Sequence, residues 1–263
     1  MPDDLPQDYF DRFSGISRLY GQEAFDRIRT AHFAVIGIGG VGSWTAEALA
    51  RTGIAKITLI DLDEVCVTNV NRQLPALDGQ VGRFKVEAVA DRLRLINPHL
   101  EIQQELAFFT ENTAERLLAP GFTGIVDAID NVKQKAFLID ACRKQNIPLV
   151  VAGGAGGKQN PAAIATNDLA YATNDRLLRL VRKELRQTYS FPSEASKAPF
   201  GVRAVYSTEN AKFPWSDGTV REEAEPGSHL RLNCDTGFGT STMVTGSFGF
   251  TAAAEIINLL TDQ

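Results

Sequence analysis

The stretch "AVIGIGGVGSW", residues 34–44, places a cluster of glycines directly after an apolar run. The run 31–36 predicts a buried strand, and a helix is predicted from about Ser43 to Thr52. The pattern Gly-x-Gly-x-x-Gly is formed by Gly37, Gly39 and Gly42, with Gly40 as an additional glycine. In such a strand–turn–helix unit the backbone approaches a phosphate closely, and the free N–H groups of the helix attract its negative charge. The motif predicts a nucleotide site, and its plainer alternative is a tight glycine turn.

Asp61 ends the second predicted strand, "AKITLID" (55–61), and lies 24 positions after Gly37. An acidic residue at about this distance hydrogen-bonds ribose hydroxyls in dinucleotide-binding folds. A carboxylate that only ends a strand is the alternative. The glycines and Asp61 together predict a bound nucleotide, but they leave open which one.

Strand and helix patterns alternate through the first 153 residues. This alternation predicts an α/β protein with a Rossmann-like, doubly wound, mainly parallel sheet. After residue 153 the sequence becomes richer in glycine and proline, around a helix at 174–187, a strand "GVRAVYST" and a closing helix at about 241–260. We interpret residues 1–263 as one domain, with a nucleotide-binding half (1–153) and a C-terminal elaboration (154–263) for substrate and dimer contacts.

Polar and charged residues follow several strands of the predicted sheet, where ligands bind in open parallel sheets. They are Asn69, Asn71, Arg72, Gln73, Lys85 and Asp130. An NAD site does not need this collection, whereas a triphosphate needs cations near its phosphates and a carboxylate for Mg²⁺. We favour Asp130 over Asp127 as the metal ligand, because Asp130 lies at the strand end and Asp127 inside the strand. The set predicts ATP and Mg²⁺ as ligands, although each residue alone could be ordinary surface.

Composition narrows the function classes. The net charge of −5 gives no overall basic field for nucleic acid, and the cysteines, Cys66, Cys142 and Cys234, form no Cys-x-x-Cys pair. We therefore expect no disulfide framework, no zinc and a reducing, cytoplasmic setting. The acidic N-terminus is unlike a signal peptide, and the stretch 236–260 lacks a continuous apolar run, so no membrane insertion is expected.

The ordered motifs "GIGGVGS", "DLD", "NVNRQ", "VGRFKVEA", "INPH" and "DAIDN" resemble those of the ubiquitin-activating-enzyme-like adenylyltransferases, over roughly residues 12–155. This family includes the activators of the bacterial sulfur carriers for thiamine and molybdopterin. The resemblance implies an ATP site in which Gly39–Ser43 would bind phosphates, Asp61 the ribose, and Asn69 or Asn71 with Arg72 would clamp the phosphates. Lys85 would follow the charge to the leaving pyrophosphate, and Asp130 would hold Mg²⁺. Asp63 and Gln73 complete the set expected to bind ATP. The resemblance also implies a homodimer in which Arg12 or Arg18 reaches the ATP of the other subunit.

The second half departs from the sulfur-carrier activators, because it lacks their two Cys-x-x-Cys zinc pairs. "DRLLRLVRKELR", "KAPFGVRAVYSTE" and "GFGTSTMVTGSFGFTAAAEIINLL" resemble instead the branch that dehydrates threonylcarbamoyladenosine in tRNA, once linked to a cysteine-sulfinate desulfurase system. The resemblance implies ATP-dependent adenylation of the threonylcarbamoyl carboxylate, ring closure with loss of water, a tRNA substrate and a sulfur-system partner. No enzyme nucleophile is needed, so Cys234 is expected to be dispensable.

A basic helix face is the candidate tRNA contact. Its residues are Arg176, Arg179, Arg182, Lys183 and Arg186. Their spacing of three to four residues places them on one side of a helix, although such a face is often only solvated surface. Lys158, Lys197 and Arg203 could extend the patch.

Three other functions remain as alternatives. The runner-up is an activator of a ubiquitin-like sulfur carrier, which the missing Cys-x-x-Cys pairs disfavour. An NAD-dependent oxidoreductase and a non-catalytic nucleotide-binding protein have little use for Arg72, Lys85 and Asp130 together.

Overall fold

The computed structural model describes residues 5–227 and 238–262. Seven strands form one sheet in the order β3-β2-β1-β4-β5-β7-β6. They are β1 (His32–Ile36), β2 (Lys56–Ile60), β3 (Glu101–Glu105), β4 (Gly124–Asp127), β5 (Leu149–Ala152), β6 (Ile164–Asp168) and β7 (Arg203–Ser207). The pairs are parallel except β6–β7, which is antiparallel. The predicted mainly parallel sheet is confirmed.

Helices cover both faces of this sheet. They are α1 (Gln7–Tyr20), α2 (Gln22–Ile28), α3 (Gly42–Arg51), α4 (Lys85–Ile96), α5 (Glu111–Leu118), α6 (Val132–Gln145), α7 (Arg176–Thr188) and α8 (Thr242–Thr261). A small separate hairpin is formed by β8 (Phe213–Pro214) and β9 (Val220–Arg221).

Alternating side chains of the buried strands enter two hydrophobic cores. On β1, Phe33 and Val35 join the core that also contains α3, α4 and α8, whereas Ala34 and Ile36 join the core that contains α5, α6 and α7. This follows from the period of two in a strand, which directs successive side chains to opposite faces. The apolar run that predicted β1 is therefore a strand buried on both sides, as expected for a doubly wound sheet.

The topology brings the candidate loops to one edge. β1 lies between β2 and β4, so the chain leaves β1 toward one side of the sheet and later returns on the other. The loops after β1, β2, β4 and β5 all begin at the carboxyl ends of parallel strands. Such a reversal of strand order opens a crevice in which ligands bind.

The second half of the chain is built into the same sheet and core. β6 and β7 extend the sheet beyond β5, and α8 packs along α3. At the crossing, a Cβ on Gly249 would lie 2.7 Å from the carbonyl oxygen of Val41, so glycine allows the close approach. The division at residue 153 stays a functional prediction, because the two halves share one sheet.

α8 is long and apolar enough to cross a membrane by length and composition alone. Half of that stretch is buried inside the protein, where Val244, Phe248 and Ile256 belong to the hydrophobic core. Its apolar character is explained by packing against α3 and the sheet.

Candidate active site

A cavity of about 590 Å³ opens at the carboxyl edge of the sheet, above β1, β2, β4 and β5. Many of the residues predicted to bind ATP line it. They are Gly37, Gly39, Gly40, Asp61, Asp63, Asn71, Arg72, Gln73, Lys85 and Asp130. Residues up to 93 positions apart in the sequence-predicted set, from Gly37 to Asp130, thus line a single cavity.

The glycines of the first loop have different physical roles. Gly37 has a φ of +89°, and a Cβ there would lie 2.8 Å from the carbonyl oxygen of Ala128. A Cβ on Gly42 would overlap the carbonyl of Gly37, so these two glycines are required by the turn and its packing. Gly39 has nothing within 4 Å of its Cβ position, which leaves the space beside it open to a phosphate.

Ser43 does not line the cavity. It is buried, and its Oγ donates to the carbonyl of Gly39 at 2.7 Å and accepts from the N–H of Leu74 at 3.2 Å. The hydroxyl therefore supports the glycine loop from behind, which corrects its predicted place in the phosphate cradle.

Asp61 is fixed above the glycine loop by backbone donors. Its two carboxylate oxygens accept from the N–H of Ile38 at 2.6 Å and the N–H of Asp63 at 2.8 Å. Burial raises the pKa of Asp61 above its ordinary value, and the nearby Lys85 ammonium opposes that shift. A carboxylate held in this orientation at the cavity wall suits the predicted contact with ribose hydroxyls.

Lys85 is the first residue of α4, and its side chain is buried. Its Nζ lies 2.7 Å from an oxygen of Asp63, whose side chain is half exposed. An exposed carboxylate is a replaceable partner for a buried ammonium, because water can solvate the carboxylate once the ammonium binds another group. Lys85 can therefore exchange Asp63 for a phosphate oxygen without leaving its position.

Arg72 and Asn71 lie next to each other at the mouth of the cavity. The Arg72 guanidinium donates to the carbonyl of Thr68 at 2.7 Å and to Oδ1 of Asn71 at 3.0 Å. Nδ2 of Asn71 donates to the carbonyl of Thr240 at 2.9 Å. This arrangement orients a cation at the cavity and attaches it to the segment that precedes α8.

Asn69 and Gln73 differ in position. Asn69 is buried away from the cavity, where its Oδ1 accepts from the N–H of Cys66 at 3.0 Å and caps a short helical turn. Of the two candidate asparagines, Asn71 lines the cavity and Asn69 does not. Gln73 is buried at the cavity wall, and its Oε1 has no hydrogen-bond partner within the described residues.

The two candidate metal ligands differ in their accessibility from the cavity. Asp127 is fully buried and lies 2.9 Å from Nζ of Lys135. Asp130, three residues later, is exposed at the cavity wall. Because Asp127 is committed to a buried ion pair, Asp130 is the carboxylate that a ligand can reach.

No group of three or more His, Cys, Asp or Glu side chains within residues 5–227 and 238–262 could hold a metal ion. Mg²⁺ is usually held by one or two carboxylates, substrate phosphates and water, so Asp130 fits such a site without a protein cage.

Several cavity residues were not predicted as site residues. They are Phe108, Gln134, Gly153, Gly154, Ala155, Gly156, Thr240 and Thr245. The glycine-rich stretch after β5 was visible in the sequence, but no motif assigned it a role. Phe108 and Thr245 carry no pattern of their own, and only the fold brings them to the cavity.

The N-terminal arginines do not line the cavity of their own chain. Arg12 and Arg18 are exposed on α1, and Arg12 pairs with Asp8 at 3.5 Å. α1 is anchored beneath them by Tyr9 and Phe13, which are buried. Their predicted contact with the ATP of a second subunit stays a prediction.

The basic face of α7 divides into two groups. Arg176, Arg179 and Lys183 are exposed. Arg182 and Arg186 instead fold back onto their own chain, where they donate to the carbonyls of Leu169 at 3.4 Å and Pro192 at 3.2 Å. The exposed group is the part of the predicted tRNA face that a large ligand can reach.

Two of the residues outside α7 that were predicted to extend the basic patch already have other partners. Lys158 is buried, and its Nζ donates to the carbonyls of Asn174 and Glu209, so it cannot extend a surface patch. Arg203 is exposed but pairs with Glu255 at 3.1 Å.

The cysteines differ in environment. Cys142 is buried beneath the sheet, and burial raises the pKa of its thiol to about 12, which suppresses the reactive thiolate. Cys66 is exposed, and Cys234 lies outside the described residues.

Residues 13–263 match the ThiF family. The chain is 46% identical over 247 residues to the tRNA threonylcarbamoyladenosine dehydratase of Escherichia coli, covering 94% of this chain and 92% of that protein. It is 44% identical to the enzyme of that name from Haemophilus influenzae, covering 96% and 94%. The E. coli dehydratase TcdA, solved in complex with ATP, superposes with a TM-score of 0.86 at 41% identity, covering 98% of this chain and 97% of that one.

These similarities extend through the second half of the chain, where the resemblance rested on α7, β7 and α8. They confirm the resemblance stated from the motifs, and they confirm the fold class. The chain belongs to the ThiF family and, within it, to the tRNA threonylcarbamoyladenosine dehydratases.

Proposed function

We propose that this protein uses ATP to dehydrate and cyclise N6-threonylcarbamoyladenosine in tRNA beside the anticodon. The observation that carries the proposal is the single cavity in which Gly39, Arg72, Lys85 and Asp130 meet. Open backbone, two cations and a reachable carboxylate are the groups that an adenylation reaction needs around a triphosphate. The full-length similarity to dehydratases of this name supports the choice of substrate.

The first step is adenylation of the substrate carboxylate. A carboxylate oxygen of the threonylcarbamoyl group attacks the α-phosphorus of ATP, and the bond to pyrophosphate breaks. Gly39 and the start of α3 receive the phosphates, while Asp61 accepts from the ribose hydroxyls. Arg72 and Lys85 neutralise the charge that builds on the leaving pyrophosphate.

Asp130 is the residue that would hold Mg²⁺. When bound, the ion offsets phosphate charge and orients the phosphate chain for in-line attack. Asp130 suits this role because it is exposed at the cavity, unlike the fully buried Asp127.

Ring closure needs no enzyme nucleophile. The carbamoyl group of the same side chain attacks the carbonyl carbon of the mixed anhydride and gives up a proton to solvent. The ring closes as the bond between that carbon and the AMP oxygen breaks, so AMP leaves with the former carboxylate oxygen. Across both steps the nucleoside loses one water. The protein contributes by positioning and charge stabilisation, which agrees with the buried, high-pKa thiol of Cys142.

The tRNA is held by the exposed residues Arg176, Arg179 and Lys183 of α7. Phosphate contacts from such residues supply binding that weakens as salt rises. A local basic face of this kind can act despite a net charge of −5. We place the enzyme in the reducing cytoplasm, where its tRNA substrate is found.

We further propose that the enzyme is a homodimer. Arg12 and Arg18 are exposed on a helix that is anchored by the buried Tyr9 and Phe13, and neither arginine lines the cavity of its own chain. A second subunit is the natural recipient of one of these side chains, which would add a cation to its ATP site.

Nucleoside mass spectrometry tests the proposed reaction. tRNA carrying threonylcarbamoyladenosine is incubated with the protein and ATP, then digested. Loss of one water from the modified nucleoside, with formation of AMP and pyrophosphate, is the expected result. A parallel ATP–pyrophosphate exchange assay with a small protein ending in Gly-Gly tests the sulfur-carrier alternative, and equal exchange with that protein would contradict the proposal.

A further inference from the structure

The loop after β5, residues 153–160, is joined to the start of α7 by reciprocal contacts. Asp175 is the N-cap of α7, and one carboxylate oxygen accepts from the N–H of Leu178 at 2.8 Å. Its second oxygen accepts from the N–H of Gly154, also at 2.8 Å. In return, Nζ of Lys158 donates to the carbonyl of Asn174 at 2.9 Å, directly before the cap. Loop and helix therefore each hold the other.

Both charged members of this junction are buried, with 5% of Asp175 and 4% of Lys158 exposed. Burial raises the pKa of Asp175 and lowers that of Lys158, while their opposite charges attract. Charged groups are buried only at a cost unless their hydrogen bonds are satisfied. Here the carboxylate has two N–H donors and the ammonium two carbonyl acceptors, so the junction is specified in detail.

Steric fit gives an independent sign of the same coupling. A Cβ on Gly153 would overlap the carboxylate of Asp175, so only glycine permits this approach. Gly153 and Gly154 line the cavity described above. The first turn of α7 thus shapes one wall of the cavity.

The same turn carries the exposed basic residues. Arg176 follows Asp175 directly, and Arg179 lies one turn further along the exposed side. One carboxylate therefore connects the surface proposed to hold RNA with the cavity wall at Gly153–Gly156.

We infer that Asp175 is a positioning residue, which with Lys158 fixes the RNA-holding face of α7 relative to the cavity wall at Gly153–Gly156. This inference rests on the proposed function. RNA bound on α7 is then presented with its threonylcarbamoyl carboxylate at the height of the α-phosphate. A misplacement of about 1 Å lowers the rate of such a reaction by about a hundredfold, even where the ligands still bind.

The Asp175→Ser variant separates this role from capping. Serine is also a good N-cap, so α7 keeps its first hydrogen bond, but its single short oxygen cannot also reach Gly154. We expect kcat for cyclisation to fall at least about tenfold, with the affinities for ATP and for tRNA within about threefold of wild type. Lys158→Met should give the same separation of kcat from binding. The kcat of the double variant should be no lower than that of the less active single variant, because the two residues act as a unit.

Asp168→Ser is the matched control. Asp168 caps a short helical turn and accepts from the N–H groups of Phe200 and Gly201, but it does not line the cavity. Its replacement should leave kcat within about twofold. Unchanged kcat in Asp175→Ser and Lys158→Met, an equal fall in Asp168→Ser, or additive losses in the double variant would overturn the inference. Absence of cyclisation by the wild-type protein would overturn the proposed function instead.

Discussion

Replacement of Lys135 by methionine should destabilise the protein strongly. The Lys135 side chain is fully buried on α6, with Nζ at 2.9 Å from the Asp127 carboxylate. The same ammonium donates to the carbonyls of Asp127 at 3.2 Å and Ile129 at 2.9 Å. Methionine keeps most of the volume but removes the charge and all three donors.

The magnitude follows from the burial of Asp127. One of its oxygens already has no partner within the described residues, so the variant leaves a carboxylate with the N–H of Ile129 alone. Breaking a buried ion pair from one side costs about 3–5 kcal/mol. That is a large part of the roughly 5–15 kcal/mol that stabilises a typical domain, but it is compatible with folding.

The loss should depend on pH. Burial raises the pKa of Asp127, and the Lys135 ammonium opposes that rise, so its removal raises the pKa further. A carboxyl group whose pKa is raised in the folded state binds its proton more tightly in the folded than in the unfolded protein. The contribution of this carboxyl group to stability is then greatest at low pH, and it is lost as pH rises from the unfolded value of about 3.9 through the folded pKa. Lys135→Met should therefore lose more stability at pH ~8 than at pH ~5.5.

Urea denaturation at fixed protein concentration measures both effects. Lys133→Met, an exposed lysine on the same helix, is the control and should change the free energy of unfolding by less than about 0.5 kcal/mol. The double variant Asp127→Asn with Lys135→Met should recover part of the loss, because no buried charge remains. A loss below about 1 kcal/mol in Lys135→Met, or an equal loss at both pH values, would refute the reasoning.

Three further variants test the site. Asp130→Asn should keep the fold and lower turnover at least about a hundredfold at any Mg²⁺ concentration; near-normal turnover would place the metal elsewhere. The triple variant Arg176→Glu, Arg179→Glu, Lys183→Glu should bind tRNA at least about tenfold more weakly. Its affinity should also depend less steeply on salt concentration, because phosphate contacts are lost. Arg94→Glu, at an exposed arginine on α4, is the control for charge reversal away from α7. Unchanged affinity in the triple variant would remove α7 from the RNA site. Cys234→Ser should cyclise the nucleoside at the wild-type rate, and an inactive variant would point to a thioester intermediate.

The order of strands and helices in the first half could be predicted because the spacing of apolar residues distinguishes the strands from the helices. β1, β2 and β4 are short apolar runs, and α4 places Val86, Val89 and Leu93 on one buried face. The N-terminal helices α1 and α2 were not predicted as helices. Tyr9, Phe13 and Phe25 form a small aromatic cluster of their own, while Ile28 joins the main core, so no long apolar period marks these helices.

The cavity could be predicted only in part, since a motif does not tell which way a side chain points. Ser43 and Asn69 belong to the same motifs as Gly39 and Asn71, yet both turn inward to hold backbone groups. Likewise, the spacing of the arginines on α7 gives the helix face, but their own length lets Arg186 return to the carbonyl of Pro192. No sequence motif connects residues 153–156 with the rest of the site, and the order of strands in the sheet brings them to the cavity.

Isotope transfer from the substrate carboxylate tests the central claim most directly. tRNA is prepared with the heavy oxygen isotope in the carboxylate of its threonylcarbamoyl group and incubated with the protein and ATP. Adenylation followed by ring closure predicts AMP that carries one heavy oxygen, with unlabelled pyrophosphate. Heavy oxygen in inorganic phosphate together with ADP, or cyclised nucleoside formed without labelled AMP, would contradict an adenylated carboxylate.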